Sequence, residues 1–134
     1  MTNIIEGLTF DDVLLLPGYS DFKRQEVDLT TTLHPKLILK LPVLSSPMDT
    51  VTESAMAIVL GKAGGLGIIH RNLSVQTQAD EVAKAKKGQV LVGAAVGIGS
   101  DLEERVKALA SAGVDLVVID SGHGNTSFMV DAIK

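Results

Sequence analysis

The sequence predicts an α/β fold: four consecutive parallel βα units, (βα)4, behind an irregular N-terminal arm. Two observations carry this. Apolar runs recur about every 24 residues, as VLSS around Leu44, GLGIIH around Ile68, VLVGAAV around Val92 and VDLVVID around Val117. They are near-continuous rather than alternating, the pattern of parallel strands covered on both faces. Between them lie segments with helical periodicity, and strand–helix alternation with short loops builds parallel sheets.

The arm, residues 1–40, falls outside the repeat. It holds Pro17-Gly18 and the β-prone VDLTTTL, so a short strand or hairpin is expected there. Residues 41–134 hold the four units. After VLSS, Thr50 and Glu53 have capping-box spacing, and Met56, Val59, Leu60 and Ala63 form a stripe that stops at Gly64-Gly65. After GLGIIH, Ser74 is the cap, with a stripe of Val75, Ala79, Val82 and Ala83 before Gly88. After VLVGAAV, Ser100 and Glu103 repeat the capping box, followed by Leu102, Val106, Leu109 and Ala110 before Gly113. The glycines stand where a left-handed C-cap is wanted. The fourth helix is expected to begin near Asn125-Thr126. Such units form an open doubly wound sheet or a (βα)8 barrel, and four of them at this tight period make half a barrel.

Composition narrows the function. The net charge is −4, and the aromatics are Phe10, Tyr19, Phe22 and Phe128, which argues against basic patches and stacking platforms for nucleic acid. No apolar run approaches the roughly 18 residues of a membrane span. The start, MTNIIEGLTFDD, lacks a basic leader, so a cytoplasmic protein is expected. The chain has no cysteine, which removes disulfides, thiolate metal sites and a cysteine nucleophile from it.

In a βα barrel the chemistry gathers on loops after the strands. Here those loops are SSPMDT, HRNLS, AAVGIGS and DSGHGN. In the first, Asp49 or Thr50 could simply cap the next helix, while Ser46 could hydrogen-bond a ligand and Met48 form an adaptable apolar wall. Asp120 closes the strongest strand, where a carboxylate can accept from a ribose diol or close an Asx-turn. His123 reads as a base, a ligand or a surface hydrogen-bonder. Arg71 can pair with a phosphate or carboxylate, or stay solvated. Gly93, Gly97 and Gly99 could admit a ligand to the backbone, although their spacing matches neither the dinucleotide fingerprint nor the P-loop. EVAKAKKG is the wet side of a helix.

LTFDDVLLLPGYSDF, LPVLSSPMDTVTE, GGLGIIHRN and VVIDSGHGN occur in that order, and the chain resembles inosine-5′-monophosphate (IMP) dehydrogenases over essentially its whole length. GMP reductases are the neighbouring alternative. The resemblance implies the N-terminal half of a TIM (βα)8 barrel from an enzyme, usually tetrameric, that oxidises IMP to XMP with NAD through a cysteine-bound intermediate. By resemblance, Ser46 and Met48 line the IMP pocket. Asp120 takes the nicotinamide ribose, with Ser121 and Gly122 beside NAD and Phe128 against the adenine.

Two departures accompany it. The CBS modules usual in the family are absent, since EVAKAKKG runs straight into QVLVGAAVG at about residues 88 to 90. The cysteine loop, its potassium site, the flap and the base lie in the family's C-terminal half. No catalytic or metal-binding residue is therefore assigned to this chain, which is expected to be inactive alone. Its expected partners are IMP and NAD in a complete enzyme, a C-terminal half-barrel, or a second copy. A non-catalytic nucleotide-binding module is the competing reading, and a longer parent chain is a third.

Overall fold

All four apolar runs become strands, in the order and direction the repeat predicts. The computed structural model describes residues 5–134. The arm contains a 3-10 turn, Arg24–Glu26, then an antiparallel hairpin of β1 (Thr31–His34) and β2 (Leu37–Leu39). There follow β3 (Leu44–Ser45), α1 (Ser54–Lys62), β4 (Leu66–Ile69), α2 (Val75–Lys87), β5 (Val92–Val96), α3 (Leu102–Ser111), β6 (Leu116–Ile119) and α4 (Ser127–Ile133). The four later strands form one parallel sheet in sequential order, β3-β4-β5-β6. Among the described residues no helix is long and apolar enough to cross a membrane.

In β4 and β5 the near-continuous apolar character is explained by burial on both faces. By contrast, β6 is only half-buried and Leu44 of β3 is exposed, both strands lying at the edges of the sheet. Ile69, Val92, Ala94 and Val96 point to the helix layer, packing with Ala57, Val82, Ala85 and Leu109. Leu66, Ile68 and Ala95 point the other way, with Leu91, Leu116 and Val118 beside them. Leu39 of the hairpin is buried in this second cluster. The hairpin is thereby tied to the sheet, and the N–H groups of Lys40 and Leu41 both donate to Gly64 O, just before β4. It therefore closes the end of the sheet opposite the loops that follow the strands.

Helix starts depart from expectation in two of four cases. Ser74 caps α2, accepting from Thr77 N–H at 3.1 Å, and Thr126 caps α4, accepting from Met129 N–H. The Thr50–Glu53 box does not form. Residues 49–51 are a turn, and Glu53 precedes α1 without a side-chain cap bond. The first N–H of α1, on Ser54, instead donates at 2.9 Å to Glu81 of α2. The Ser100–Glu103 box fails as well: α3 starts after Asp101, whose carboxylate is taken by Arg105. Gly64 and Gly113 adopt left-handed φ values of 97° and 88°, but after α2 that role passes from Gly88 to Gln89, at φ 57°.

The stripe on α1 is also rotated. Ala57 is its buried residue, whereas Met56, Val59 and Ala63 are exposed. The cause is Gly67 on β4: a Cβ there would lie 2.4 Å from Ala57 Cα, so the helix backbone rests on the bare glycine.

Glu81 carries a testable consequence. Burial alone would push its carboxyl up, but hydrogen bonds from Lys84 and Ser54 outweigh it and hold the group at about 2, from an ordinary 4.5. The folded-state value is depressed, so the stabilisation is complete above the ordinary value and is lost as pH falls from 4.5 towards 2. Glu81→Gln should remove this acid-limb dependence and lower neutral-pH stability by on the order of 1 kcal/mol, the exposed Lys84 being screened by solvent. Urea midpoints at neutral and acidic pH measure both, and an unchanged acid slope in the variant would refute the assignment.

Candidate functional site

The loops after β3, β4 and β6 enclose a cleft of about 300 Å³ lined by Pro47, Asp49, His70, Arg71, Asn72 and Asp120. Its frame is built from strand ends. Thr52, fully buried, donates its hydroxyl to Ser46 O at 2.6 Å and shares a 2.8 Å bond with Ser45 Oγ. Its carbonyl accepts from His70 N–H, so the first and second loops are locked together.

His70 is buried and its roles are determined by its partners. Nδ1 accepts from Asn72 N–H at 3.1 Å, which places the ring proton on Nε2, facing Glu53 Oε1 at 3.4 Å. Asn72 in turn donates from Nδ2 to Asp49 Oδ2 at 3.0 Å. Glu53 thus orients a histidine where the sequence suggested a helix cap.

A second layer supports the loops from below. Gln78 of α2 is fully buried and donates to the carbonyls of His70 (3.0 Å) and Ala95 (2.8 Å), at the ends of β4 and β5. Its Oε1 accepts from Arg105 Nη1 at 2.9 Å, and Arg105 also reaches Leu73 O and Asp101. Residue patterns missed this set, yet a signal existed. Gln78 lies three residues after Val75 and four before Val82, on the apolar stripe, and Arg105 holds the same place between Leu102 and Leu109. Polar groups on an apolar stripe must find partners when buried.

Of the residues that the resemblance assigns to IMP or NAD, Asp120 alone lines the cleft, beside Asp49 and Arg71, which the loop sequences also offer. The N–H of Asp120 donates to Val96 O at 2.8 Å, and its Oδ2 lies 3.5 Å from Arg71 Nε. Among the described residues its carboxylate makes no hydrogen bond within its own loop, where Ser121 Oγ and His123 N–H approach at 3.5 Å instead. Ser46 and Met48 are exposed on the β3 loop, Ser121, Gly122 and His123 on the β6 loop, and Phe128 in the first turn of α4. Gly97 does not admit a ligand to bare backbone: a Cβ there would meet the Arg71 guanidinium at 3.1 Å.

The model of the IMP dehydrogenase / GMP reductase domain matches residues 7–134. The chain belongs to that family. It is similar to the inosine-5′-monophosphate dehydrogenase of Cryptosporidium parvum, at 36% identity over 175 residues covering 98% of the chain and 43% of that relative. It is also similar to the enzymes of that name from Nitrosopumilus maritimus (53%, covering 72% of the chain and 21% of the relative) and Aquifex aeolicus (55%, covering 64% and 18%). The chain spans less than half the length of the curated relatives it matches, 43% and 44% in two of them. The first match runs over 175 positions against a chain of 134 residues, so that relative carries extra residues inside the matched stretch. For a member of the IMP dehydrogenase / GMP reductase family, four parallel strands with four helices are half of the TIM barrel, and the cleft lies at the end where such barrels keep their chemistry.

Proposed function

We propose that this chain supplies the N-terminal half of an IMP dehydrogenase site: the part that holds the nicotinamide ribose of NAD and one wall of the IMP pocket. The observation that carries the reading is Asp120. Its carboxylate ends β6 in the cleft, is only half-covered, and has one long contact to Arg71, which leaves acceptor positions for the two hydroxyls of a ribose diol. The residues present therefore fit the sugar of a dinucleotide. NAD, when bound, supplies the hydride acceptor for oxidation of the purine.

The chain's own groups bind and orient. Asp120 accepts the ribose hydroxyls, with Ser121 and Gly122 along the same ligand and Phe128 available as an aromatic face for adenine. Ser46 and Met48, on the loop locked by Thr52, offer a hydroxyl and a thioether wall to the purine nucleotide. The chain holds no cysteine, so the nucleophile of the family reaction belongs to the C-terminal half of the barrel.

The test is reconstitution. The chain, mixed with the C-terminal half of an IMP dehydrogenase barrel, should yield IMP-dependent NADH formation that neither half gives alone. In that complex Asp120→Ala should raise the Michaelis constant for NAD about tenfold, the effect of losing a charged hydrogen-bond partner. If the variant shows wild-type NAD kinetics, the ribose assignment is wrong. Nucleotide binding with no turnover in any combination would favour a non-catalytic binding module instead.

A further inference from the structure

Arg71 sits in the cleft without a structural task of its own. It follows β4, is about half exposed, and its guanidinium donates to no hydrogen-bond acceptor among the described residues. Its nearest anionic partner is Asp120, with Nε 3.5 Å from Oδ2. An exposed ion pair of this kind contributes little to stability, because solvent screens it and two long side chains must be held in place. Something holds this one. The guanidinium lies against Gly97 at the end of β5, where an added Cβ would come within 3.1 Å of Nη1 and 3.3 Å of Cζ. The side chain thus bridges three strand ends: rooted on β4, seated on the bare backbone after β5, and directed at the carboxylate after β6.

That arrangement restricts Asp120. A carboxylate on a strand-end loop with no hydrogen bond in its own turn is free to rotate, and a rotating acceptor binds a diol less well because its ordering must be supplied on binding. We infer that Arg71, seated on Gly97, is a positioning residue for Asp120, fixing the carboxylate in the orientation that receives the ribose of the dinucleotide. The inference rests on the ribose reading given above and adds to it a second residue and the reason for a glycine. Gly97 suits this seat because even a Cβ would press on the guanidinium at 3.1 Å, and a larger, branched side chain would displace it and with it the anchor of Asp120.

A double-mutant cycle tests this in a full-length IMP dehydrogenase carrying this sequence as its N-terminal half. Wild type, Arg71→Ala, Asp120→Ala and the double variant would be compared for kcat and for the Michaelis constants of NAD and IMP. Arg71→Ala should raise the NAD constant about fivefold to tenfold, leave the IMP constant within about twofold, and add nothing once Asp120 is alanine. Arg71→Lys, with charge but no planar fork, should recover only part of the loss. Gly97→Val, which alters no charge, should behave like Arg71→Ala. A general structural defect would move both Michaelis constants and persist in the Asp120→Ala background. The inference is overturned if Asp120→Ala impairs NAD use while Arg71→Ala does not, or if the two losses multiply. If Asp120→Ala itself leaves NAD use unchanged, the ribose reading falls and the positioning role falls with it.

Discussion

Gln78→Leu is expected to destabilise the chain by about 3 kcal/mol, although the two side chains are close in size. Leucine fills the same space but removes the donor to His70 O and Ala95 O and the acceptor of Arg105 Nη1. Each buried polar group left without a partner costs about 1–3 kcal/mol, and the apolar gain from leucine offsets only part of that. Arg105 keeps Asp101 and Leu73 O, so the two carbonyls account for most of the loss. Gln78→Glu is the informative second variant. It preserves the Arg105 contact as an ion pair but brings carboxylate oxygens against the same carbonyls, and it should also destabilise. Urea unfolding of the chain measures both. A Gln78→Leu loss under about 1 kcal/mol would mean that the strand ends find other donors, and that the network does not organise the cleft.

The same network shows where sequence reasoning reaches and where it stops. The parallel sheet was legible because β4 and β5 are buried on both faces, which forces apolar residues at consecutive positions. The capping of α2 and α4 was legible because Ser74 and Thr126 act on backbone three residues away. The start of α1 was not, because its cap is Glu81, in the next helix. Its rotation was not legible either, since Ala57 faces inward only because Gly67 lies beneath it. The site divides along the same line. Polar residues at the ends of apolar runs marked Asp120 and the HRN segment as functional candidates. What links them is tertiary: Arg71 meets Asp120 across β5, over Gly97, and no local spacing encodes that. The family was read from ordered motifs along the whole chain, and the domain match over residues 7–134 agrees with it.

Gly67→Ala and Gly93→Ala add the same methyl group to neighbouring strands and should differ sharply. At Gly93 the new Cβ would lie 2.5 Å from Ile68 Cδ1, the far end of a flexible side chain that a rotamer change can move. The cost there is expected to be about 1 kcal/mol or less, reduced further by the entropy a strand glycine gives up on folding. At Gly67 the Cβ would lie 2.4 Å from Ala57 Cα and 2.6 Å from Ala57 Cβ, and the backbone of α1 has no rotamer to change. The helix must retreat as a body, by roughly an ångström to restore ordinary carbon contacts. Its retreat draws Ser54 N–H from Glu81 and strains the 49–53 loop, whose Thr52 carbonyl holds His70. A loss of about 3 kcal/mol or more is expected, together with a lower NAD affinity in the reconstituted enzyme because the cleft wall moves with α1. Parallel urea titrations of the two variants decide the point. Equal losses would mean that α1 gives way as readily as a side chain, and that the close helix–strand approach does not position the loop carrying Ser46 and Met48.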